Sequence, residues 1–134
     1  MGPDSIADEN RSKIHRWATE LWSSGNLDAA DELYAPRYTY QGVERTPADF
    51  KAGIAAWRSA FPDLVVTLIS VLAEGDRIAW EWQVRGTNKA PFMGHKPTGR
   101  MFELTGVHVA RFECGKIAEE REYFDEAQLL RQLD

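Results

Sequence analysis

Cysteine is nearly missing from this chain, and basic residues are in the minority. The single cysteine, Cys114, leaves no internal disulfide and no cysteine-rich metal centre. It stands at the tip of a turn with no flanking motif of a nucleophile, and reactive thiols need an electropositive niche. Lys and Arg number 16 against 21 Asp and Glu, for a net charge of −5. Nucleic acid and anionic membranes both require a basic footprint, so neither is an expected partner. No apolar run reaches the ~18 residues of a membrane-spanning helix. The opening stretch MGPDSIADENRSK has no apolar signal core, which makes the cytoplasm the expected location. Internal repeats and low-complexity linkers are also missing. One domain over residues 1–134 follows from the usual ~100–200 residues per domain, with residues 1–8 expected to be a flexible tail.

What is present is a core-forming composition, 43% hydrophobic, whose periodicity changes along the chain. Ile14, Trp17, Ala18, Leu21 and Trp22 recur at helical spacing until Gly25-Asn26. A short helix over Leu27–Leu33 and a brief strand over Tyr38–Gln41 are expected next. Thr46-Pro47 reads as a helix cap followed by proline at the first helical position. The helix it opens has Phe50, Ile54, Trp57 and Phe61 on its buried stripe and stops at Pro62. Beyond Asp63 the period becomes two. Strands are expected over 64–73, 77–87, 101–112 and 116–124, with a Gly/Pro-rich loop over 88–100. Asp125 caps a closing helix that buries Leu129, Leu130 and Leu133. Helices first and a strand meander afterwards predict an α+β fold in which a curved antiparallel or mixed sheet wraps the N-terminal helices as a cone. Such interiors are natural ligand pockets.

The hairpin GVHVARFECGKIAEEREYFD, residues 106–125, carries the sharpest chemical signal. With Glu113-Cys114-Gly115 as a three-residue loop, Phe112 pairs with Lys116, Gly106 with Glu122 and His108 with Glu120. His108, Glu120 and Glu122 then share a face with Phe102, Leu104, Ala110 and Phe124. Burial in that apolar face is expected to raise a carboxylate pKa and make it a competent base. The bland alternative is a solvated glutamate-rich strand beside a histidine satisfied by a backbone carbonyl. Glu119 is expected to point outward.

Several phrases, taken in order, carry a family resemblance: FPDL at Phe61, AEGDRIAWEW from Ala73, RGTN from Arg85, PTGR at Pro97, RFECGKIAEE from Arg111 and the ending FDEAQLLRQL. Together they resemble the SnoaL-like polyketide cyclases of the nuclear transport factor 2-like superfamily, whose fold is a cystatin-like roll. The resemblance implies cofactor-independent, metal-free acid–base chemistry, of aldol-type cyclisation or isomerisation, on a hydrophobic carbonyl substrate. In that family an aspartate on the last strand acts as general acid/base and a histidine on the neighbouring strand assists it. Those roles fall on Glu122 and His108, with glutamate replacing aspartate. The family's His-Trp-Asp-like run becomes Glu120-Arg121-Glu122.

Trp17, Tyr40, Gln41, Trp57, Trp80, Trp82, Phe102 and Glu120 are the expected substrate-binding residues. Tryptophans supply flat aromatic walls, and Gln41 can orient a carbonyl without shuttling protons. His15 is expected at the surface, and His95 at the surface or the pocket mouth. Asp63 and Arg111 are candidates for an ion pair. Two other functions remain open: epoxide opening or water addition in the same pocket, and ligand binding without turnover. A homodimer through the outer sheet face is expected from the stripe Val65, Thr67, Ile69, Val107 and Val109.

Overall fold

The computed structural model describes residues 3–134. Helix α1 spans Pro3–Arg16, so residues 3–8, expected as a tail, form its first turns, and Ala7 is buried. Met1 and Gly2 lie outside the described residues. The helix then widens into a π-helical stretch, Trp17–Ser23, in which Trp17, Ala18 and Leu21 are buried. It closes with a bond from the Ser24 N–H to the Thr19 carbonyl (3.0 Å), and Gly25 turns the chain at φ 72°. An α-helix would splay residues five apart. The i→i+5 winding brings them one turn apart, and the Trp17 and Trp22 rings meet edge-on with centroids 6.1 Å apart.

Helix α2 (Ala29–Leu33) leads directly into β1 (Tyr34–Tyr40), which starts earlier than expected and runs through Pro36. The proline is tolerated because the ladder between β1 and its parallel partner is irregular between Tyr34 and Thr39. Gln41 and Gly42, both left-handed at φ 52° and 80°, then turn the chain into β2 (Val43–Arg45). Sequence periodicity did not indicate this three-residue strand. Helix α3 (Pro47–Ala60) starts as expected: the Asp49 carboxylate accepts from the Thr46 N–H at 3.0 Å and its hydroxyl at 3.2 Å. Ile54 and the terminal Phe61 are fully buried, whereas Phe50 and Trp57 are half-buried.

Four long strands follow: β3 (Val65–Glu74), β4 (Arg77–Thr87), β5 (Met101–Glu113) and β6 (Lys116–Tyr123). With β1 and β2 they form one curved, unclosed six-stranded sheet in the order β2-β1-β6-β5-β4-β3. The β1–β6 pair is parallel and the other pairs are antiparallel. The even-numbered residues from Ile78 to Gly86 on β4 and from Phe102 to Phe112 on β5 face inward and are buried. They pack with α1, its π continuation and α3 into one core. Asp125 caps helix α4 (Glu126–Leu133) through the Gln128 N–H, and Leu129 and Leu133 are buried while Leu130 is only half-buried. Asp63 does not pair with Arg111. It accepts from the Thr87 N–H and hydroxyl at 2.7 Å each, while Arg111 lies 3.6 Å from Glu113 and 3.8 Å from Glu119. Among the described residues no helix is long and apolar enough to cross a membrane.

Ile54 anchors α3 against the sheet at 0% exposure. Ile54→Ala is expected to cost about 2–5 kcal/mol in a denaturant titration, with the slope unchanged.

Candidate active site

The β5–β6 hairpin does not adopt the expected register. Its turn has two residues, Cys114 and Gly115, both left-handed at φ 51° and 78°, and Glu113 pairs with Lys116. Ala118 then bulges from β6: Phe112 faces Ile117, but Arg111 faces Glu119. The shorter loop and the bulge each move the register by one residue. Their sum preserves the period-two alternation, so the predicted face survives although the partners change. His108 stands opposite Glu122, Ala110 opposite Glu120, and on its other side His108 faces Trp80 of β4.

His108 and Glu120 are each 3% exposed. The imidazole Nε2 lies 2.9 Å from Glu122 Oε2 and 3.3 Å from Glu120 Oε1. Its Nδ1 accepts from the Trp82 indole N–H at 2.6 Å. Trp80 stacks on the ring at 5.0 Å with planes 10° apart, and Trp17 meets it edge-on at 4.9 Å. Glu120 also accepts from the Tyr34 hydroxyl, which in turn accepts from Trp17 Nε1 at 3.1 Å. Glu122 accepts from the Tyr40 hydroxyl at 2.8 Å. The histidine is therefore satisfied by side chains at both ring nitrogens, not by a backbone carbonyl.

Burial raises the pKa of Glu122, but hydrogen bonds from His108 and Tyr40 outweigh it and hold the carboxyl below its ordinary value. This reverses the expectation from burial alone. For Tyr40 the net shift is upward: burial, then the adjacent Glu122, push the phenol well above its usual range, so it stays a donor. Burial also lowers the pKa of His108, while hydrogen bonds and charge from Glu120 and Glu122 act to raise it. Trp82 opposes that charging, because an indole nitrogen only donates and needs a lone pair on Nδ1.

Two cavities meet at Glu122. The inner one, about 70 Å³, is walled by Trp17, Trp22, Trp57 and Trp82, by aliphatic side chains of the β3–β5 region and by Phe124. Among the described residues, Glu122 is the only charged one on its lining. The outer one, about 430 Å³, is lined by residues including Tyr40, Phe92, Met93 and Glu126. Trp57, Glu122 and Phe124 border both.

Residues 12–133 match the profile of the SnoaL-like polyketide cyclases. The chain belongs to that family. No curated protein matches it. Among solved structures it is similar to TsrD from Streptomyces laurentii, at 25% identity and TM-score 0.86, covering 94% of this chain and 95% of that one. AclR from Streptomyces galilaeus, described as a candidate hydroxylase, aligns at 27% identity and TM-score 0.83 over 95% and 96% of the two chains. IdmH from Streptomyces antibioticus, described as a candidate polyketide cyclase, aligns at 29% identity and TM-score 0.81 over 92% and 97%.

Within this SnoaL-like fold the expected site residues separate into groups. Trp17, Trp57 and Trp82 line the inner cavity with Glu122, and Tyr40 lines the outer one. Trp80 and Phe102 line neither: Trp80 is sealed against His108, and Phe102 packs 4.6 Å from Phe61. Gln41 is not available to orient a substrate. Its amide donates to the Glu122 carbonyl at 2.6 Å and accepts from the Glu122 N–H at 3.3 Å, extending the β1–β6 pairing. Glu120 lies behind His108, away from both cavities. His15 and His95 are exposed, and neither lines the two cavities. Sequence reasoning missed Tyr34 and Trp22 as site residues, and it placed Phe124 on the inward face without naming it as substrate-binding. The five-residue spacing of Trp17 and Trp22 was a usable signal only with the π winding in view. Tyr34 reaches Glu120 only because β1 runs parallel to β6, which no local pattern encodes.

The lowered pKa of Glu122 means its ionised form stabilises the fold above the ordinary value of 4.5, and that contribution is lost as pH falls through the lower folded value. Comparing wild type with Glu122→Gln by denaturant unfolding from pH 7 to pH 3, the stability difference is expected to shift in the variant's favour below about pH 4.5. A difference independent of pH would contradict a carboxylate hydrogen-bonded by His108 and Tyr40.

Proposed function

We propose that this SnoaL-like protein catalyses a cofactor-independent, acid–base cyclisation or isomerisation of an uncharged, hydrophobic, polyketide-like carbonyl compound. The observation that carries the reading is the position of Glu122: a carboxylate held by His108 and Tyr40, bordering both cavities, in an aromatic chamber with no cationic side chain among the described residues of its lining. An anionic substrate would meet only like charge there. The extra methylene relative to the family's aspartate does not prevent contact with the histidine.

In this reading Glu122 removes a proton next to a carbonyl, and the developing enolate oxygen takes a hydrogen bond from Tyr40, which lines the outer cavity. A carboxylate held below its ordinary pKa is a weak base. The C–H it attacks must therefore be acidified, as it is between two carbonyls of a polyketide chain. In cyclisation the enolate carbon then adds to a second carbonyl of the same chain, whose oxygen becomes an alkoxide and takes the proton back from Glu122; in isomerisation the proton returns to a different atom of the enolate system. Arg121 is exposed and lies on the sheet face opposite Glu120 and Glu122, so the Asp-Arg-Asp type of cluster used for epoxide opening is not assembled. This ranks hydrolysis second. We further propose a homodimer through the outer sheet face, where Val65, Ile69 and Leu72 are 36%, 52% and 71% exposed.

Glu122→Gln is expected to keep the far-UV circular dichroism of the wild type and to slow cyclisation of poly-β-ketone compounds, or deuterium uptake beside their carbonyls, by at least ~10²-fold. A variant with full activity would remove Glu122 from the mechanism. Oxygen-18 from water in the product would instead indicate hydrolysis, and binding without conversion would indicate a carrier. Light scattering at micromolar concentration is expected to give the mass of a dimer; a monomer would count against the proposed interface.

A further inference from the structure

Trp82 and His108 are not directly opposed. Trp82 on β4 stands opposite Gly106 on β5, and His108 is two residues along on the same face. The indole reaches it by lying across the glycine. A Cβ added at Gly106 would sit 2.3 Å from Cζ2 of Trp82, 2.6 Å from Cη2 and 2.9 Å from Cε2. Real side chains do not approach so closely, so only glycine at this position admits the indole in this pose. The pose directs Nε1, which is bonded to Cε2, at His108 Nδ1.

The contact constrains where the imidazole carries its proton. Indole nitrogen is a donor without a usable lone pair, so Nδ1 must be the acceptor and must be unprotonated. The imidazolium would set two N–H groups against each other at 2.6 Å in a site with almost no water. The other groups that face the ring push toward charging it: Glu120 and Glu122 on β6, with Tyr34 and Tyr40 of β1 hydrogen-bonded to them in turn. From β4 and the π-helical stretch, Trp80 and Trp17 contribute no titratable group.

We propose that the Gly106–Trp82 pair is a tautomer lock, which holds His108 as a neutral imidazole with its proton on Nε2, facing Glu122 and Glu120. His108 is then a fixed hydrogen-bond donor, not a proton shuttle, and net proton transfer falls to Glu122. Trp82 acts through His108 as a positioning residue. The assignment concerns the resting protein and stands whether the reaction is cyclisation, hydrolysis or none. Where the proposed acid–base reading holds, it decides which group moves the proton.

The test needs no substrate. Long-range proton–nitrogen NMR on nitrogen-15-labelled protein reports the protonation of each His108 nitrogen between pH 5 and pH 10. In the wild type at pH 7, Nδ1 is expected to be unprotonated and Nε2 protonated. In Trp82→Phe, with the indole donor gone, the two carboxylates are no longer opposed. The titration midpoint of His108 is expected to rise by at least one pH unit, a tenfold gain in proton affinity. Gly106→Ala keeps the indole but displaces it, and should raise the midpoint in the same direction. A wild-type spectrum with both nitrogens protonated at pH 7 would overturn the proposal, as would a midpoint unchanged in the variants. Should Trp82→Phe fail to fold, the wild-type spectrum and Gly106→Ala decide the question. Loss of activity in Glu122→Gln bears on the reaction and leaves this result untouched.

Discussion

An imidazole and a carboxylate side by side in an aromatic core impose the main constraint on this fold. Removing a partner from a buried charge costs about 3–5 kcal/mol, so the polar atoms of the opposed pair His108–Glu122 must be matched. The matching comes from aromatic residues with polar tips. Tyr34 and Tyr40 donate to the two carboxylates, Trp82 donates to the imidazole, and Trp17 donates to Tyr34. These side chains fill the core with their rings and satisfy it with their heteroatoms. The indole N–H groups of Trp22 and Trp80 are buried without partners, a smaller penalty because a neutral donor costs only about 1–3 kcal/mol when left unsatisfied.

The same row sets the geometry of the chamber. Glu120 is turned behind the histidine and Glu122 is turned toward the cavities, although they are only two residues apart on one strand. Their environments differ: one braces the imidazole from the core, and the other lines both cavities. The π-helical stretch contributes from the opposite wall by placing Trp17 and Trp22 on the same cavity. Trp57 of α3 and Phe124 at the end of β6 stand with Glu122 where the inner cavity meets the outer one. A helix defect, a glycine and a strand bulge thus each serve one small aromatic compartment.

Much of this was readable before any coordinate. Thr46-Pro47 and Asp125 mark helix starts because capping is local chemistry between neighbouring residues. Alternation along β4 and β5 marks the inward face because successive side chains of a strand point to opposite sides. That parity also put His108, Glu120 and Glu122 on one face despite a wrong register, since two one-residue shifts restore it. The pairing itself was not readable. Ala118 looks like an ordinary strand residue, and Val43–Arg45 is too short to show a period.

By itself the sequence determined the α+β class, the order of the long elements, the family and the surface of the sheet that carries the carboxylates. These depend on interactions within a turn of helix or a few residues of strand. Tertiary structure alone decided that β1 would lie parallel to β6 and bring Tyr34 and Tyr40 to the two glutamates. It decided that Gln41 would bind backbone rather than substrate, and that Trp82 would cross Gly106 to reach His108. It also reversed the expected shift of Glu122, because burial is a property of position whereas a pKa depends on the donors that folding brings to that position.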